Sequence, residues 1–277
     1  MDVVDDFYAA RNLLYLGAYP QALSALTSVP RTTANDTERQ SLQYRAYLGQ
    51  GNHALVLKEI PATSPNPTLL AVRNLALLTT DPTLALSNVQ ELISADSSVL
   101  QSPTFTAIAA QVLLSHNDSA DDALRILDCH PRNLECTTMT VAVYLRKGRV
   151  DLAQKLVKSV RAWAEDAPIA QLAEAWTALA QGGKHYAEAS YVFEELAQAS
   201  AVSTARLLCS LAVTKLHMAQ YDEAKSLLQA ALEKDPNHPD TLANLAICAS
   251  FTKSANDDQD SRARYLALLA HAAPSHP

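Results

Sequence analysis

Three short stretches bring together residues that could do chemistry. GQGNHA, from Gly49 to Ala54, fits a loose GxGxxA spacing, in which glycines let backbone N–H groups approach a pyrophosphate. Such a loop must follow a strand, and the preceding LQYRAYL has helical apolar spacing, so these residues read as a turn. DPNHPD groups Asp235, His238 and Asp240 as conceivable metal ligands. A tight turn between helices uses the same residue types for capping, and no metal is expected there. His185 and Glu188 stand one helical turn apart without an HExxH pattern or a second acid, so a surface contact is expected rather than acid–base work.

The remaining reactive groups are scattered. Cys129, Cys136, Cys209 and Cys248 form no CxxC, which points to free thiols packed among helices rather than to zinc or a redox pair. No serine sits in a nucleophile elbow. Trp163 and Trp176 are expected to pack between helices. The sequons at Asn35 and Asn117 read as loop residues. No catalytic residue, metal or cofactor is assigned, and an enzyme is not expected.

The elements around these residues are helical. Six glycines and 6% aromatics in 277 residues, with no alternating Val, Ile and Thr, predict an all-α chain without a sheet. Twenty-nine acids against 22 bases give a net charge of −7 with no basic block, which argues against nucleic acid or direct contact with an anionic membrane. The acidic MDVVDDFYAA lacks a signal-peptide layout, no apolar run is long enough to span a bilayer, and a cytoplasmic protein is expected.

A repeat organises the helices. In YDEAKSLLQAALEKDP, Tyr221, Ala224, Leu228 and Ala231 share one helix face that ends before Pro236. Ala189 stands 35 residues before Ala224 with Tyr186, Phe193 and Leu196 in the same register. Ala153 lies 36 residues further back, with Val150, Val157 and Val160. Tyr19, Ala22, Leu26 and Val29 repeat the pattern near the start, followed 34 residues later by Val56 with His53 and Ile60. Between these, PTLALSNVQEL and SADDALRILDCH fit with shortened spacing, and Pro61, Pro65, Pro67, Pro82 and Pro103 mark loops.

This is the tetratricopeptide pattern, a helix–turn–helix unit that buries its apolar face only by stacking on neighbours. The expected fold is a right-handed helical solenoid of roughly eight units, by the repeat-length arithmetic. Its packing positions are Tyr19, Ala22, Val56, Ala153, Tyr186, Ala189, Tyr221, Ala224 and Ala231. The array is expected over 1–251, a polar linker over 252–261, and a capping or docking helix with a tail over 262–277.

A solenoid offers a concave wall of first helices to a partner. Its slots read Phe7, Arg11 and Leu14; Ser41, Arg45 and Leu48; Thr138, Ala142 and Leu145; then Glu174 and Val213. No slot pair supplies the Lys and Asn clamp that chaperone cofactors use on a C-terminal carboxylate, which leaves a peptide-binding adaptor or co-chaperone as the alternative reading. The small and apolar mixture suits a lasting complex.

Several stretches resemble the epsilon subunit of coatomer, the COPI vesicle coat: YRAYLGQGNHALVLKEI, LECTTMTVAVYLRKGRVDLAQK, QLAEAWTALAQGGKHYAEASYVFEELA and EAKSLLQAALEKDPNHPDTLANL, in order along most of the chain. The resemblance implies a non-catalytic coat component in retrograde Golgi-to-ER and intra-Golgi transport. It implies that the repeats curl around a projecting hairpin of the C-terminal domain of the alpha subunit. Membrane association is then indirect, on Golgi and COPI vesicle surfaces. Members of that family usually continue past a Ser-His-Pro comparable to the one in HAAPSHP, and this departure from the family's pattern leaves open any contact such a tail makes.

Overall fold

The computed structural model describes residues 5–115, 119–199, 203–251 and 257–273. Among these are sixteen α-helices, one 3-10 turn at Ser97–Gln101 and no strand. Taken two by two they make eight helix–turn–helix pairs. These are α1 (Tyr8–Tyr15) and α2 (Tyr19–Ser28), α3 (Asp36–Gly49) and α4 (His53–Glu59), α5 (Pro67–Leu77) and α6 (Pro82–Ala95), and α7 (Pro103–Leu113) and α8 (Ala120–Leu127). There follow α9 (Leu134–Arg146) and α10 (Val150–Ala164), α11 (Pro168–Gln181) and α12 (His185–Ala199), α13 (Ala205–His217) and α14 (Tyr221–Lys234), and α15 (Pro239–Cys248) and α16 (Asp257–Ala272).

Local chemistry fixes the helix ends. Pro67, Pro82 and Pro103 do not lie in loops; each opens a helix, where its fixed φ suits the first turn and its missing N–H is not needed. The preceding residue caps each start: Asn66 accepts from the Thr68 and Leu69 N–H groups, Asp81 from Leu84 and Ser102 from Phe105. Within the pairs α1/α2, α3/α4 and α9/α10 the turn is a glycine at positive φ, and in α13/α14 it is Ala219 at φ 61°. GQGNHA is therefore a helix end and a turn, with Gly49 closing α3 and Gly51 at φ 81°.

The chain divides into two units, Met1–Ala173 and Glu174–Pro277. In the first, α1, α3, α5, α7 and α9 touch in succession, so the first helices form one layer, backed by the second helices. Its largest core cluster runs from Val56 through Val72, Val89, Phe105 and Ile108 to Leu127 and Val143. Burying a side chain such as Phe105 or Ile108 completely is worth about 1.5–3 kcal/mol. A smaller cluster joins Phe7, Ala10 and Leu14 to Ala22, Leu26, Leu42 and Ala46.

In the second unit α13 packs on α12, α14 and α15, and α15 on α16. Ala212, Leu228, Leu245 and Cys248 form its centre, with Tyr265 of α16 against them. The last helix begins at Asp257, so residues 257–261 belong to α16 rather than to a linker. Residues 252–256 of the expected linker, the tail 274–277 and Asn117 lie outside the described residues.

Ala22, Val56, Ala153, Ala189, Ala224 and Ala231 are buried, and Tyr19, Tyr186 and Tyr221 are part-buried. The tyrosines in the first turns of second helices lie against the end of the next first helix. Tyr186 stacks on His217 at 4.7 Å between ring centroids, and Tyr221 stacks on Phe251 at 5.2 Å. Tyr19 lies so close to Gly49 that a Cβ there would sit 2.2 Å from its ring. The aromatic at this position is a wedge between successive pairs, and Gly49 makes room for it.

Candidate functional site

In the first unit the starts of α3, α5, α7 and α9 meet the exposed face of α1 around a groove of about 510 Å3. Helix starts converge there because each first helix of the layer begins at the same edge. The side chains at those starts are engaged in holding them. Asn133 accepts from the Cys136 N–H at 3.1 Å, Ser102 caps α7, and the Thr37 hydroxyl accepts from the Asn66 amide at 2.8 Å. Helix N-termini carry partial positive charge, and the acids at the groove, Glu38 and Glu135, sit in first turns where that charge favours them.

Three acids and two arginines set its electrostatics. Arg11 pairs with Asp5 and, at 2.6 Å, with Glu38 of α3. Burial opposes the Arg11 charge, but Glu38 and Asp5 outweigh it and hold its pKa above the ordinary value. Deeper, Arg45 of α3 pairs with Glu135 of α9, tying the second pair to the fifth. Burial likewise opposes the charge on Arg45, and Glu135 more than compensates. Tyr15 completes this cluster: burial, and then the neighbouring Glu135 carboxylate to which it hydrogen-bonds, push its hydroxyl pKa up. Arg45 Nη1 and Ser41 Oγ, one turn apart on α3, are buried without a hydrogen-bond partner among the described residues.

Of the eleven wall positions read from the sequence, Arg11 alone lines this groove. Phe7, Leu14, Ser41, Arg45 and Thr138 are buried in the first unit, and the Thr138 hydroxyl is turned back onto the Leu134 and Glu135 carbonyls. Leu48, Ala142, Leu145, Glu174 and Val213 are part-exposed, the last two in the second unit. The cause on α1 is a slip of one residue, which rotates a helix position by about 100°. Phe7, Ala10 and Leu14 face the core, whereas Tyr8, Arg11 and Tyr15, at the same intervals one position later, face the groove. Glu38 and Glu135 went unread because their partners lie in other helix pairs, Arg11 27 residues from Glu38 and Arg45 90 residues from Glu135; their place in the first turn of a first helix was the available signal.

The other chemistry-bearing residues are occupied structurally. His238 Nδ1 accepts from the Thr241 N–H at 3.2 Å and caps α15, and Asp235 accepts from Asn237 in the preceding turn. His185 Nδ1 meets Glu188 Oε2 at 2.8 Å on the surface. Cys136, Cys209 and Cys248 are buried free thiols, but Cys129 is exposed. Trp163 and Trp176 are 48% and 36% exposed and thus not packed away between helices, as Cys129 is not. Each occupies an outward position of its helix.

Solved structures with the same fold are repeat proteins. The Cut9–Hcn1 hetero-tetramer of the APC/C matches with a TM-score of 0.66 at 14% identity, over 96% of this chain and 52% of that one. A tetratricopeptide repeat protein of Parabacteroides merdae matches with a TM-score of 0.52 at 11% identity, over 91% and 99%. The fold is accordingly an all-α, tetratricopeptide-like helical solenoid. Among curated proteins, coatomer subunit epsilon-1 of rice (Oryza sativa subsp. japonica) is 33% identical over 98% of this chain and 91% of the relative. Coatomer subunit epsilon of Caenorhabditis elegans is 29% identical over 99% and 93%. The family model of the coatomer epsilon subunit matches residues 3–277, and the chain belongs to that family.

Proposed function

We propose that this protein is a non-catalytic structural subunit of a COPI coat that binds and stabilises the C-terminal domain of the alpha subunit in retrograde Golgi-to-ER and intra-Golgi transport. The observation that carries this reading is the family match over residues 3–277. The groove of the first unit supports it. Its charges are already paired, its acids and arginines stabilise one another, and its rim offers Tyr8, 53% exposed, to an incoming segment. That is a surface for holding rather than for turnover. Among the described residues no helix is long and apolar enough to cross a membrane. On the coat-subunit reading the protein acts in the cytoplasm, and its place on Golgi and vesicle membranes is peripheral, through the rest of the coat.

The test is co-expression with the C-terminal domain of the alpha coat subunit of the same organism, followed by size-exclusion chromatography and a melting curve. A one-to-one complex is expected, with stability raised by about 2.7 kcal/mol when the partner is at a hundredfold its Kd. Tyr8→Asp is expected to weaken that complex without lowering the melting temperature of the free chain, because the ring is largely in solvent. Separate elution at micromolar concentrations sinks the reading, and capture of a free C-terminal peptide instead favours a peptide adaptor.

A further inference from the structure

The last helix of the second unit carries two apolar faces and uses one. Tyr265, Leu269 and Ala272, at i, i+4 and i+7, are the part-buried side of α16, which packs on α15. The opposite side presents Ala263, Ala267 and Ala270 at the same intervals, all exposed, bordered by Leu266 and Leu268 at 45% and 42% exposure. A helix that is apolar on opposite faces belongs between two neighbours. The spacing matters as much as the composition. Ala224, Leu228 and Ala231 of α14 stand at those same intervals and are fully buried, with α13 and α15 packed on that helix. Alanines at i, i+4 and i+7 form a flat strip that lets another helix approach closely, and leucines on either side form the ridges that hold it.

Charge narrows the occupant. Arg264 and His271, seven apart and both exposed, share one flank of the alanine strip. A second copy of this chain laid antiparallel on the strip and centred on Ala267 would set Arg264 against the His271 of the other copy, which offers no carboxylate. A helix with acidic side chains along one edge satisfies both the strip and the flank. We infer that the outward face of α16 is a second docking surface, which receives an apolar helix with an acidic edge from the same domain of the alpha subunit. This rests on the coat-subunit reading above.

The experiment titrates the C-terminal domain of the alpha subunit into the full-length wild-type chain, Ala267→Glu and Arg264→Glu by calorimetry, with melting curves of each free chain. Both side chains lie in solvent, so unchanged melting temperatures are expected. Ala267→Glu places a charge in the strip and is expected to weaken binding at least tenfold; Arg264→Glu is expected to weaken it severalfold. Wild-type binding that both variants retain in full overturns this docking surface alone. No binding by the wild-type chain overturns the coat-partner reading and this inference with it. A concentration-dependent dimer of the free chain that Ala267→Glu abolishes overturns the inference in favour of a second copy.

Discussion

Ala219 occupies a position that three other pairs give to glycine, and replacing it with glycine should make the protein more stable. The equivalence is geometric. Gly17, Gly51 and Gly148 each donate to the carbonyl three residues back, Leu14, Leu48 and Leu145, and Ala219 donates to Leu216 in the same way. The next residue in each case, Ala18, Asn52, Arg149 or Gln220, donates to the carbonyl five back at 2.8–2.9 Å, which completes the same helix-ending motif. The glycines have φ between 69° and 81°, and Ala219 has φ 61°. A left-handed conformation costs an L-residue about 1–2 kcal/mol, and glycine loses roughly 0.5–1 kcal/mol more chain entropy on folding than alanine. Ala219→Gly therefore stabilises by about 0.5–1 kcal/mol, a rise of about 2–5 °C for a unit of this size. The converse changes, Gly51→Ala and Gly148→Ala, should cost about 1 kcal/mol. At neither glycine would a new Cβ meet any atom within 4 Å, so the cost isolates backbone conformation from crowding. Scanning calorimetry with urea titration measures all three. An unchanged or lowered melting temperature for Ala219→Gly, together with cost-free alanines at 51 and 148, would refute the reasoning.

Two further changes probe the first unit. Glu135→Ala strands the buried Arg45 guanidinium and should destabilise by about 3 kcal/mol, while adding Arg45→Met to it should recover most of the loss; urea unfolding of the single and double variants decides, and a single variant as stable as wild type removes the pair from the fold's support. Cys129 should react first with a thiol reagent at pH 8, because it is exposed. Cys136, whose thiol is pushed up to about 12 chiefly by burial, should react only on unfolding, and equal native rates for the two would contradict this.

The second helices were legible in the sequence because their packing faces carry a pattern with its own punctuation. Tyr or His stands in the first turn, alanine or valine follows three residues on, and an apolar residue comes four further, as in α2, α4, α12 and α14. Close helix approach imposes that pattern locally, so a single unit displays it. The groove face of the first unit has no such local cause. Tyr8, Arg11 and Tyr15 differ from Phe7, Ala10 and Leu14 by one residue, and nothing in α1 alone tells which set meets the core cluster formed with α2 and α3. Two of the groove's acids are set by pairings between helix pairs, Glu38 with Arg11 and Glu135 with Arg45, which spacing within one pair does not encode. The start of α16 was missed because a polar run rich in Asp and Ser reads as linker, although a first helical turn favours acids as well.

The two proposed surfaces differ in what a partner must bring, and that difference separates the coat reading from capture of a carboxylate tail. In the groove Asp5, Glu38 and Glu135 are already met by Arg11 and Arg45, so an incoming segment gains from shape and hydrogen bonds and adds no ion pair. On α16 the strip is apolar, and Arg264 has no ion pair among the described residues. Binding of the alpha-subunit domain should therefore weaken only modestly as ionic strength rises from about 0.05 to 0.5 M, since screening at a Debye length of a few ångströms acts on one exposed flank. That modest dependence should reverse in Arg264→Glu, whose carboxylate repels the acidic edge until salt screens it, while Tyr8→Asp retains it. A steep dependence that persists in Arg264→Glu would mean that unpaired cations elsewhere grip an anionic group, which is the behaviour of a tail-binding adaptor and not of a helix seated on an alanine strip.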